Sequence, residues 1–156
     1  MKASLLLQTA LRHFAQHGYE GASLQEIAQD VGIKKPSIYA HYRGKDDLFL
    51  TAMTHALATQ KIHLATYFIS TRHLSLEESL KGFFDWFLEE STQNDQLKFI
   101  LRIAYFPPVK LEREVTDLIN PFFDTMQRHL TRLLRERNRT EQILYSDDYA
   151  SAALAY

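Results

Sequence analysis

The tightest constraint on this chain lies in one short run, Ser23–Val31, SLQEIAQDV. Ser23 and Glu26 have the spacing of a capping box, which predicts a helix start. Leu24, Ile27, Ala28 and Val31 then fall on one helical face, and Gly32 closes the segment. After a very short turn a second segment, Lys35 to Tyr42, reads as helix again, with Pro36 tolerated in its first turn. Ala28 is small where the two helices must approach, Gly32 supplies backbone freedom, and Ile33 and Ile38 face inward. Two short helices joined by a glycine-containing turn are a helix-turn-helix layout.

The rest of the chain is helical in spacing nearly throughout, so the expected fold class is all-α. Leu7, Ala10, Leu11 and Phe14 form a first stripe, which His17-Gly18 ends with glycine in the left-handed position. Gly44 precedes Asp46-Asp47, acidic residues suited to the start of a long helix running to about Ser70. Ser75 with Glu78 predicts a second capping box and a helix to about Glu90. Asn94 or Asp95 caps the next helix, which Pro107-Pro108 stops. Leu111–Ile119 is a short helix. Asn120-Pro121 either starts a new helix to about Arg137 or kinks one continuous helix, and Thr140 to Tyr156 is helical once more. The spacing thus predicts a three-helix head over residues 1–45 and a helical bundle over 46–156.

Charge follows the same division. Residues 1–45 hold six basic side chains and three acidic ones, leaving 12 basic and 16 acidic for the rest. A basic head on an acidic body suits a DNA-binding module joined to a different working domain. In the helix-turn-helix, Lys35, Pro36, Ser37 and His41 point mainly outward, with Tyr39 and Tyr42 presenting hydroxyls at the rim. Lysine can donate to guanine O6 or N7, serine can reach a base or phosphate, and an apolar ring can meet a thymine methyl. The tyrosines, Lys45 and the helix start at Ser23 suit phosphate oxygens, which fix register without reading sequence.

Residues 2 to about 50 resemble the DNA-binding domain of the TetR family of transcriptional regulators. The resemblance rests on Ala10 and Phe14, Gly18-Tyr19, Ser23, Ile27-Ala28, Val31-Gly32-Ile33, Ile38-Tyr39, His41-Tyr42, Lys45 and Leu48 at fixed spacing. It implies that Lys35, Pro36 and Ser37 occupy base-reading positions, and Tyr39, His41, Tyr42 and Lys45 backbone-contacting ones. Lys34 stands where the family often has a small polar residue, which favours phosphate affinity over selectivity. The resemblance further implies a ligand-binding and dimerisation domain over 46–156. It implies a homodimer on double-stranded DNA carrying a palindromic operator, and repression relieved by a small-molecule inducer. Family members usually continue for a further helix, so either the chain is truncated or its dimer interface is incomplete.

The resemblance also implies an inducer pocket among the middle helices, within an aromatic group that otherwise forms core. Trp86, Phe99, Arg102, Tyr105, Phe122 and Met126 are expected to line it, with Arg102 meeting an anionic group or else Asp85. No catalytic residues are expected: there is no glycine-rich phosphate loop, nucleophile elbow or cysteine, and Asp85 with Glu89 reads as a solvated helix face. No metal or cofactor is expected either. His55 and His63 share a helical face, but no acidic residue completes a ligand set. The arginines from Arg128 to Arg139 read as a solvated helix end. The absence of cysteine and of any long apolar run fits a cytoplasmic protein without a membrane span. The competing reading is a helical ligand-binding or protein-interaction module that does not bind DNA.

Overall fold

The structure is a computed structural model describing residues 2–141. Six α-helices and two short 3-10 segments follow one another: α1 (Lys2–Gly21), α2 (Leu24–Val31), a 3-10 segment (Lys35–Ala40), α3 (Lys45–Ser70), α4 (Leu76–Gln93), α5 (Asp95–Tyr105), a 3-10 turn (Val109–Leu111) and α6 (Glu112–Glu141). The helix expected over 140–156 falls outside the described residues beyond the end of α6.

Several helix ends follow the sequence signals. Ser75 and Glu78 close their capping box at the start of α4, and Asn94 caps α5 by accepting from the N–H groups of Gln96 and Leu97. At the end of α2, Gly32 takes φ 74° and ψ 32°. The N–H of Gly32 donates to Gln29 O and that of Ile33 to Ala28 O, at 3.0 and 2.9 Å. That pair of bonds is a Schellman motif, which satisfies two carbonyls the helix would otherwise leave bare.

Three expectations change, and one open alternative is decided. The box at Ser23 does not close with Glu26; the hydroxyl instead accepts from the N–H of Gln25, at 3.2 Å. Gly18 has positive φ, but its ψ of −177° lies outside the left-handed helical well, so the chain breaks sharply and resumes helix for one more turn to Gly21. The segment after the turn is 3-10 over Lys35–Ala40 rather than α to Tyr42. Pro36 brings no N–H, and Ser37 and His41 bond three residues back, to Lys34 O and Ile38 O, as short helical pieces commonly do. Of the two readings at Asn120-Pro121, the continuous helix is the one found: α6 runs unbroken through Pro121, whose ring is exposed.

The apolar stripes bury into two cores. The larger joins α1, α2, Ile38 and the first half of α3 to α5 and the start of α6. At its centre Phe14, Phe49 and Phe99 are each fully buried, with ring centroids 5.0 to 6.0 Å apart. Aromatic pairs in this geometry add about 0.5–1.5 kcal/mol beyond their area burial. The smaller core lies at the far end, where Leu64, Leu76, Phe83, Leu130 and Leu134 pack with Tyr67, Phe68, Trp86 and Phe87. Lys45, the end of the expected head, is a helix start and not a gap in packing.

Candidate nucleic-acid interface

Ile38 is fully buried and pins the 3-10 segment to the head, while Ile27 and Ala28 of α2 are equally buried beneath it. With that anchor inward, Lys34, Lys35, Pro36, Ser37 and His41 are all exposed, and Tyr39 is 54% exposed. The structure therefore leaves the expected base-reading residues Lys35, Pro36 and Ser37 exposed. A 3-10 helix has three residues per turn, so Pro36 and Tyr39 lie in one row and the Lys35–Ile38–His41 row carries the anchor.

The expected backbone-contacting residues divide. Ser23 is half-buried, its oxygen engaged with the N–H of Gln25 at the start of α2. Tyr42 is half-buried against the core, and burial, followed by the charge of Asp47, pushes its phenol up. Lys45 is also half-buried. Its ammonium donates to Glu20 O at 3.3 Å and lies 4.6 Å from the Tyr19 ring centroid, and burial lowers its pKa against the opposing pull of Glu20. Arg43 was missed: its side chain is 96% exposed between Tyr42 and Lys45, with only a 4.0 Å contact to Asp47. Its place between two singled-out residues was the available signal.

Tyr19 ties this face to the bundle. Its hydroxyl donates to Asp46, whose carboxylate also accepts from Lys110 at 2.8 Å, and Lys110 lies 5.3 Å from the Tyr19 ring centroid. Those two hydrogen bonds, Lys110 first, hold the Asp46 carboxyl below its usual range. The same pairing raises Lys110.

The six residues expected to line an inducer pocket are not brought together. Phe99 and Phe122 are buried in the larger core, Trp86 and Met126 pack at the smaller one, and Tyr105 is 78% exposed. Arg102 reaches the head, donating to Gln16 O at 3.2 Å beside the kink at Gly18. A groove of about 260 Å³ over Leu7, Leu11, His55, His63 and Gln96 takes no wall from any of the six.

His13 and His17, four residues apart on α1, form a pair the metal reading passed over; their rings lie 5.9 Å apart. His13 is committed elsewhere, with Nε2 2.8 Å from Asp30. Among the described residues no group of three or more His, Asp or Glu could hold a metal ion.

The described residues thus form a compact helix-turn-helix head, with an exposed short segment, joined to an α-helical body. Residues 6–52 match the family described as bacterial regulatory proteins, tetR family. Over 50 residues the chain is 40% identical to the HTH-type transcriptional repressor AcnR of Corynebacterium diphtheriae, a stretch covering 32% of this chain and 26% of that one. The curated match thus spans about a quarter of the relative's length. In fold the likeness runs further. A TetR-family transcriptional regulator from Agrobacterium tumefaciens superposes with a TM-score of 0.82 at 21% identity, covering 99% of this chain and 80% of that one. The regulator FadR from Bacillus subtilis, in complex with stearoyl-CoA, gives 0.71 at 15% identity, covering 98% and 80%. The family is one of regulators, not enzymes.

Proposed function

We propose that this protein is a sequence-specific DNA-binding regulator that acts in the cytoplasm as a homodimer, repressing transcription until a small molecule binds its body. The observation that carries the reading is the outward face of Lys34–Ser37, exposed while Ile38 behind it is completely buried. Lys35, Pro36 and Ser37 read base edges; Lys34, Arg43, Lys45, Tyr39, His41 and Tyr42, with the Ser23 helix start, hold phosphates. Two such heads about 34–36 Å apart meet successive major grooves of a palindromic site. Repression is favoured by the name of AcnR, and ligand response by the stearoyl-CoA bound to FadR. In this chain the distal aromatic core, where Trp86 and Met126 lie, is the part proposed to answer a ligand. A ligand acts by preferring one head spacing over another.

Fluorescence anisotropy against duplexes selected from random DNA tests the reading. Lys35→Ala and Tyr39→Phe are expected to weaken binding to the selected site with unchanged thermal melting. The affinity of the parent is expected to fall steeply with salt as phosphate contacts release counterions. Parent-like binding by both variants, or a flat salt dependence, would defeat the assignment. If the parent shows no affinity for any duplex at low salt, the interaction-module reading takes its place.

A further inference from the structure

From the position of Lys110 we infer that the bundle itself contributes to the DNA-backbone interface, through this lysine in the turn between α5 and α6. The inference rests on the DNA-binding reading above and extends it beyond the helix-turn-helix.

The geometry begins with Lys45 at the start of α3. Its bond to Glu20 O joins that helix N-terminus to the chain just ahead of Ser23, where α2 starts. The start of α3 and the approach to α2 are thereby held together. Lys110 also approaches Tyr19. The two ammonium groups lie 4.6 and 5.3 Å from the centroid of that one ring. Lys110 pairs with Asp46 and also hydrogen-bonds the Tyr19 hydroxyl, and the Lys110 and Asp46 side chains are about half exposed, at 55% and 46%. Neighbouring Val109 is 90% exposed, so the turn opens directly to solvent.

Burial is the main influence lowering Lys45, with the charge of Lys110 a lesser one, while Asp46 and Tyr19 raise Lys110 itself. A polyanion relieves the repulsion between the two lysines, whereas a neutral or cationic partner does not. The pair with Asp46 holds Lys110 against the head, and an exposed pair is weak enough to yield to a phosphate. Asp46 thus competes with phosphate for the Lys110 ammonium.

The test is the dependence of DNA affinity on salt for the full chain. Lys110→Gln is expected to weaken binding several-fold, equally for selected and random duplexes, and to reduce the slope of log affinity against log salt by about one. Lys110→Arg is expected to keep the slope. Asp46→Asn, which frees the ammonium, is expected to bind as tightly as the parent or tighter. Lys81→Gln, on an exposed part of α4, serves as the control for general charge loss. A parent slope retained in Lys110→Gln, while Lys45→Gln loses a unit, would reduce Lys110 to a structural ion pair and leave the DNA-binding reading intact. Absence of parent binding to any duplex would remove both.

Discussion

At Gly18 the backbone takes φ 71° and ψ −177°, and at Gly32 φ 74° and ψ 32°. The second is the left-handed helical well, which asparagine also visits; the first is a region open essentially to glycine alone. Gly18 is doubly required, because a Cβ there would stand 3.1 Å from the Arg102 guanidinium, whereas nothing lies within 4 Å of one at Gly32. Gly18→Ala is expected to cost about 1–3 kcal/mol in urea unfolding, and Gly32→Asn much less. Equal losses would show that the backbone at Gly18 is not constrained as described. A glycine after a helical stripe announced both ends, but the particular ψ at Gly18 was not legible. It depends on an arginine 86 residues beyond Gln16, the carbonyl it bonds. The same distance keeps the bond from Arg102 to Gln16 O beyond the reach of local spacing.

Helix α6 shows what an element adds. Its continuity through Pro121 could not be read from Asn120-Pro121, because a proline stops or merely bends a helix according to its surroundings, and here the ring faces solvent. Farther along, the imidazole of His129 stacks on Phe68 with centroids 5.3 Å apart and an interplanar angle of 12°. Burial first, then the charges of Arg128 and Arg132, lower its pKa. Between that depressed value and the ordinary histidine value, the folded state binds fewer protons than the unfolded one. This contribution to stability is therefore full at neutral pH and above, and is lost as pH falls through the depressed value. His129→Phe keeps a ring against Phe68 and removes the titration. Thermal melting followed from about pH 8 to pH 5 is expected to fall less steeply for this variant than for the parent. Identical profiles would place the acid sensitivity elsewhere. The capping boxes show the limit of reading elements locally: the one at Ser75 closes and the one at Ser23 does not, although both carry glutamate three residues on.

Across the whole molecule, the head and α5 share one core while the distal aromatics form another. The head's inner face was legible in Ala10, Phe14, Ile27, Ala28 and Ile38, since helical spacing and residue size mark a stripe directly. That Phe99 completes it was not legible, because an aromatic in α5 suits a core or a pocket equally until the helices are docked. Hydrogen exchange followed by mass spectrometry is expected to show α1, α5 and the first half of α3 opening together, with α4 exchanging sooner. Separate opening of α1 and α5 would contradict the shared core. The three rings of Phe14, Phe49 and Phe99 also bear on recombination between relatives. A chimera spliced at Lys45 would part Phe14 from the two rings it was selected with, leaving a foreign surface to fill the space. Whole-head grafts are thus constrained by α5, whereas substitutions confined to Lys34–Ser37 leave that contact untouched.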